Sequence, residues 1–528
     1  MTHYDYIVIG AGSAGCVVAN RLTEDPDTTV LLLEAGNPDT KPEIQIPLDC
    51  TTLPGTEVDW GYFSEPEPYL NNRKIFCPRG KVLGGSSAIN FLLYIRGNHH
   101  DYDHWQSLGN PGWSYQDVLP YFNKSENQQR GASQYHGVEG ELSVTDIISP
   151  APISQRFIDA CIAMGYNYNP DFNAMHQEGA GPFQFTVKDG KRHSTAAAFL
   201  LPILDRPNLT IQTGALVTRL LFEGTRTVGV EYLHEGMLHQ VRINKEVIVS
   251  AGAFDSPKLL MLSGIGDAEQ LQPMGIDVVA NLPGVGQNLR DHIFVAVPYE
   301  STQNLHTANT SNGIAETGLF LHSEANLNVA PDLELIFGPI LWAPPGYPNS
   351  GVGFTGLVVL NHPQNIGSVS LRPAEGSSAS LSPEPKDTPI IRLNYLQSQS
   401  DVQKLVDAIK LMRQLLHNSA FDEFRGREVA PGADVTSDEV LAAYVRETCG
   451  TVFHPIGTCK MGTDPMAVVD PELRVHGIEG LRVVDASIMP TLITGHTNAP
   501  TIMIGEKAAD LIKAASSVSK QPQTAIAY

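Results

Sequence analysis

The stretch Tyr6-Ile-Val-Ile-Gly10-Ala-Gly12-Ser13-Ala14-Gly15, running on into Val17-Val-Ala-Asn-Arg-Leu22, decides the fold. A short apolar run ends in glycine and a helical segment opens at once, which predicts strand, tight turn and helix. Val30-Leu-Leu-Leu-Glu34 predicts a second buried strand and completes a βαβ unit. Gly10 permits the turn, Gly12 lets backbone approach a pyrophosphate, and Gly15 lets the helix pack closely on the strand. The helix starting near Ser13 offers its positive end to phosphates. Glu34 and Ala35 follow the glycines by about 20 residues, where a carboxylate grips both ribose hydroxyls and repels a 2′-phosphate. A glycine-rich turn can carry these letters without a ligand. Strand, helix and acid together favour a dinucleotide site.

Working outward, Pro38 to Pro78 is rich in proline and polar residues and reads as irregular. Leu209–Gln212, Leu216–Phe222, Thr227–Tyr232 and Glu246–Ser250 are β-rich, and turns such as Glu223-Gly224 and Glu235-Gly236 predict an antiparallel meander. From Asp401 to His417, apolar residues fall at helical spacing, with Asp401 as the expected cap. Residues 323–386 read as loops and strands of a second domain. A chain of 528 residues exceeds what one core organises, so two domains are expected.

The formal net charge of −22, from 35 basic and 57 acidic residues, argues against a nucleic-acid partner. Six scattered cysteines without a CxxC pair suit reduced thiols in a cytoplasmic protein. The start of the chain shows no signal-peptide pattern, and no apolar run reaches the ~20 residues of a membrane helix. Peripheral membrane contact stays open, and no oligomeric state is legible. No GxSxG elbow supports a serine hydrolase.

A second glycine-rich run, Arg79-Gly-Lys-Val82-Leu-Gly84-Gly85-Ser86-Ser87-Ala-Ile89-Asn90-Phe91-Leu92-Leu93 continuing to Asn98, exposes backbone N–H groups and hydroxyls suited to a phosphate or flavin. The histidines and aspartates at 99–104 read as a surface loop rather than a metal site, and no metal is expected. These features resemble the glucose-methanol-choline (GMC) family of flavin oxidoreductases, above all its choline and aliphatic-alcohol dehydrogenase branch. Arg79–Asn98 resembles the first signature of that family, and Ser250-Ala251-Gly252 through Gly266 resembles its second. Leu481 through Asp485-Ala486 to Pro490, with Gly495-His496-Thr497-Asn498 and Gly505, resembles its C-terminal segment.

The resemblance implies an α/β fold: a Rossmann-like FAD domain of residues 1–100, 200–295 and 450–515, and a substrate domain of 101–199 and 296–449 with an antiparallel sheet. A tail would occupy 516–528. It implies FAD, with Val82, Asn90–Leu93 and the 485–498 segment at the flavin ring and Val217 at the adenine. Some relatives link FAD covalently through a histidine at the position of Ile89, so here the flavin is expected to be non-covalent.

Thr451-Val452-Phe453-His454-Pro-Ile-Gly457 resembles the family's histidine motif, with His454 as base, His496 as its partner, and Val452 and Phe453 beside the substrate. Asn498, two residues further on, is the alternative partner. An alcohol loses hydride readily only as its hydroxyl proton leaves, and a neutral imidazole takes that proton near neutral pH. The expected substrate is a small-molecule alcohol, with a quinone or O2 as electron acceptor. An alcohol oxidase and a same-fold FAD enzyme of non-oxidative chemistry, a lyase or photodecarboxylase, are the alternatives.

Overall fold

The apolar runs at the N-terminus form β1 (His3–Ile9) and β2 (Val30–Leu33), with helix α1 (Ser13–Leu22) between them. The structure is a computed structural model, and it describes residues 3–305, 313–324, 328–373 and 383–519. Parts of the expected 323–386 region and of the 516–528 tail therefore lie outside the described residues.

The first sheet continues with β3 (Leu209–Gln212), β4 (Leu216–Glu223), β5 (Arg226–His234) and β6 (Met237–Val249), in the order β3-β2-β1-β6-β5-β4. The expected meander is correct only for β4 to β6, which pair antiparallel. Leu209–Gln212 instead lies parallel to β2, so that segment is corrected to a member of the parallel layer. The long β6 serves both halves. Its first part pairs with β5, and its last residues lie parallel between β1 and the short strand Leu481–Val483.

Helix α1 packs tightly on this layer because position 15 has no side chain. A Cβ there would stand 1.9 Å from the Gly10 carbonyl oxygen. Helix α2 (Gly252–Leu262) leaves the end of β6.

A second sheet is antiparallel throughout. Its strands β7 (Ile293–Ser301), β8 (Thr317–Leu321), β9 (Leu333–Gly338) and β10 (Gly353–Leu360) run in the order β7-β10-β9-β8, with Gly179–Pro182 at one edge and Arg425–Glu428 at the other. Alternation gives it two faces. Leu333, Leu335, Phe337, Val358 and Leu360 pack with Val402, Leu405 and Ile409 of helix α3 (Gln399–Leu416). Phe320, Ile336 and Val359 face the other way, toward Leu92 and Phe183. Helix α3 begins earlier than the spacing suggests, with Ser398 at its N-cap. Asp401 is buried in the first turn, where its carboxylate accepts from the Gln364 N–H.

Two further expectations are corrected. Residues His99–Ser107 form a helix opened by an Asn98–Asp101 capping box, rather than a surface loop. The capping pair satisfies the first free N–H groups, and that reciprocal signal sits in the sequence. The irregular region 38–78 contains short helical turns and the small hairpin Tyr62–Phe63 with Phe76–Cys77. The last helix, α4 (Asn498–Ser519), packs back on α1 at Gly505. No helix among the described residues is long and apolar enough to cross a membrane.

Candidate active site

A cavity of about 470 Å³ runs between the two sheets, from Glu34, Ala35 and Val217 at one end to His454 and His496 at the other. Gly10, Gly12, Ser13 and Ala14 line it where α1 begins. A Cβ on Gly12 would meet nothing within 4 Å, so this glycine leaves open space rather than relieving a packing clash. Glu34 accepts from the N–H of Ala11 and of Gly36, both at 2.8 Å, which leaves lone pairs on both oxygens for hydroxyl donors. Burial pushes its carboxyl up to about 7, against those two backbone donors. Ser250 Oγ on the same wall is buried and has no hydrogen-bond partner among the described residues. An elongated cleft with a helix N-terminus, an acid and an orphaned hydroxyl fits FAD.

Gly85, Ser86, Asn90, Phe91, Leu92, Leu93, Ala251, Gly252, Asp485, Ala486, Thr497 and Asn498 also lie on this wall, as do Val452 and Phe453. Gly15, Val82 and Gly84 do not. Gly15 is spent on packing α1 against Gly10. Val82 is buried among Ile44, Leu53, Val58, Ala88 and Ile89. Gly84 donates its N–H to the Ala11 carbonyl and so ties the two glycine-rich turns together.

At the far end the His454 and His496 rings stand 5.0 Å apart between centroids, inclined at 70°. Asn498 is engaged elsewhere, since its Oδ1 accepts from Ser13 Oγ at the start of α1. His454 is held from behind. Its backbone N–H donates to Asp291 Oδ1 at 2.8 Å, and its ring Nδ1 lies 3.0 Å from His292 Nδ1. Asp291 also accepts from Thr451 and Tyr395, while Arg79 donates to the Phe453 carbonyl at 2.6 Å. Phe453 takes a left-handed conformation, φ +68°, a strain that these bonds sustain just before the histidine. Burial, and then the charges of His496, His292 and Arg79, hold the His454 imidazole well below its ordinary pKa. Burial first, then the neighbouring histidines, pushes His292 down to about 3.

His496 Nε2 lies 3.1 Å from Glu334 Oε1. His454 Nε2 and His496 Nδ1 make no hydrogen bond among the described residues. Sequence reasoning missed Asp291, His292, Arg79 and Glu334. The first two directly precede β7 and Glu334 lies within β9, where no local pattern marks them as neighbours of residues more than a hundred positions away.

The GMC oxidoreductase family matches the chain in two blocks, its N-terminal part over residues 4–294 and its C-terminal part over 373–505. The chain is 43% identical to mouse mitochondrial choline dehydrogenase, covering 97% of this chain and 89% of that protein. It is 44% identical to an oxygen-dependent choline dehydrogenase of Escherichia coli, covering 97% and 95%. Among solved structures it is similar to pyridoxine 4-oxidase from Mesorbium loti, with TM-score 0.89, 31% identity and coverage of 96% and 98%. An Aspergillus oryzae formate oxidase variant, studied for its FAD modification, superposes with TM-score 0.90 at 28% identity, covering 98% and 99%. Matched along nearly its whole length in sequence and in fold, the chain belongs to the GMC oxidoreductase family.

Proposed function

We propose that this FAD-dependent alcohol oxidoreductase removes the hydroxyl proton with His454, holds the developing alkoxide with His496, and takes an uncharged alcohol with an apolar tail. The observation that carries the reading is the facing pair of rings, each tied from behind at one nitrogen. A neutral His454 that donates its Nδ1–H to His292 keeps an unprotonated Nε2 for the substrate proton. His496 donates through Nδ1 to the oxygen that gains charge. Bound FAD supplies the hydride acceptor, held non-covalently because Ile89 offers no linking atom. Gly10, Gly12, Ser13, Ala14 and Glu34 would hold its diphosphate and ribose, and Asn90 to Leu93 with Asp485 to Asn498 would surround its ring.

The substrate class rests on the walls. Ile314, Ala315, Ile336, Leu357, Val359, Phe294 and Trp342 line the end opposite the glycine turns. Among the described residues, the acids on the cavity wall are Glu34, Asp255 and Asp485, and all three belong to the flavin side. Glu316, the acid nearest this wall in sequence, is turned away and accepts from the Ala151 N–H and Ser154 Oγ. A quaternary ammonium alcohol such as choline would want a carboxylate beside the aromatic rings. The relatives named for choline thus share the chemistry proposed here, and the apolar wall carries the substrate class proposed for this chain.

Anaerobic flavin reduction across the primary alkanols from butanol to decanol, with choline alongside, tests this. The alkanols should reduce the flavin faster, and choline matching them would overturn the substrate class. Turnover of the best alcohol with a quinone-like dye should exceed turnover with oxygen, as dehydrogenase relatives suggest; peroxide formed as fast as dye is reduced reverses that. The two sheets, each with its own packed core, support two discontinuous domains close to the expected division. Six buried, unpaired cysteines support a reducing, cytoplasmic setting.

A further inference from the structure

Among the described residues four arginines are buried: Arg21, Arg96, Arg192 and Arg482. Three of them have a carboxylate at 2.6 Å, from Glu506, Glu126 and Glu246 in turn. Arg192, on the small hairpin of Val187–Lys188 and Lys191–Arg192, is 2% exposed and makes no ion pair among the described residues. Its guanidinium donates to neutral oxygens: the Ile44 carbonyl at 2.9 Å, the Ser87 carbonyl at 3.2 Å and Asn90 Oδ1 at 2.7 Å. Its Nη2 is buried without a partner. The ionisable neighbour that acts on it is the Cys50 thiol, which burial pushes up to about 11 and so keeps uncharged. A guanidinium stays protonated even there, and a buried cation without a counter-charge is costly where an apolar side chain would fill the place at less cost.

Arg192 does not line the cavity, but Asn90 does. Asn90 Oδ1 accepts from Arg192 and from the Leu92 N–H at 3.1 Å, so the amide stands only one way round. Its Nδ2 makes no hydrogen bond among the described residues and is the end left for the cavity. We infer that Arg192 is a positioning residue for the flavin: it holds the Asn90 amide with an Nδ2–H free for the cavity, and its unbalanced charge favours reduced over oxidised FAD. Oxidation of the alcohol sends the hydroxyl proton to His454 and the hydride, with its electron pair, to the flavin. One negative charge thus enters the flavin side of the cavity, and a cation already buried there without an acid meets it with no rearrangement. The wall cations Arg79 and Lys258 are less suited, because each has an acid at hand, Asp291 and Asp255. The inference rests on Asn90 standing at the flavin ring, as proposed above.

The test is the two-electron midpoint potential of the FAD-loaded protein, measured by anaerobic equilibration with a reference dye. Arg192→Met should shift the balance toward oxidised FAD by about tenfold, a fall of about 30 mV. Arg192→Gln, which still has a donor for Asn90 but no charge, should fall with it. Arg192→Lys keeps the charge and should shift the balance by less than about twofold. A wild-type potential in Arg192→Met, or equal falls in Arg192→Met and Arg192→Lys, overturns the inference. If Arg192→Met yields no holoenzyme, Arg192→Gln against Arg192→Lys decides on the same comparison. Asn90→Ala should move the potential as well. An Asn90→Ala protein with wild-type potential and wild-type flavin content places the ring elsewhere and overturns both this and the proposed role of Asn90. A shifted potential in Asn90→Ala with an unmoved one in Arg192→Met overturns this alone.

Discussion

As the proposed base, His454 works only while its ring is neutral, and its burial favours that form. Replacing it with alanine should leave FAD bound and slow flavin reduction by about 10²–10⁴-fold, the usual worth of a general base. His496→Asn should be milder than His496→Ala, since an amide still donates to the alkoxide. The pH dependence has a definite sign. Burial lowers the pKa of His454, so protonation stops the reaction only at more acid pH than for an ordinary imidazole of about 6.5. Flavin reduction should therefore be flat through pH 6.5 and fall further down; a break at the ordinary value would mean that the base titrates in contact with water. His454 was legible because it lies in a compact local motif. Glu334 and His292 were not, because the sheet that brings them to the site is assembled from distant parts of the chain. His496 was preferred to Asn498 from the motif alone, and the Ser13 hydrogen bond that occupies Asn498 is a contact no spacing rule contains.

At the level of elements, the β1–α1 turn uses two of its glycines for different purposes. Gly15 is a packing device, and its replacement by alanine would drive a Cβ into the Gly10 carbonyl. Gly15→Ala should destabilise the fold by about 1–3 kcal/mol or more, read as a lower denaturation midpoint. Gly12→Ala puts its methyl into open space, so the protein should fold normally yet purify with its flavin content markedly reduced. Equal stability loss in the two variants would refute the distinction. The turn, α1 and β2 could be read directly because strand, glycines and helix are contiguous. The partner of Leu209–Gln212 could not. Its composition suits a meander equally well, and only the crossover from a remote segment sets it parallel to β2.

For the whole molecule, the cavity proposed for FAD lies at the seam of two sheets, so FAD should act as a folding ligand. Stripped protein titrated with FAD should gain about 2.7 kcal/mol at a free concentration of about 100 times Kd, with a thermal midpoint that climbs as flavin is added. A midpoint indifferent to FAD would place the flavin outside the cleft. Length and resemblance led to the expectation of two domains, while the pairing of Gly450–Thr451 with β7, three residues before His454, could not be read from any local spacing. The alternation along β8 to β10 has a consequence for inheritance. Side chains facing α3 anchor the sheet, so the cavity-lining positions 336, 357 and 359 can change one at a time without touching that anchor. A lineage under selection can thus change its diet of alcohols by single steps, each through a protein that still folds and still has its base.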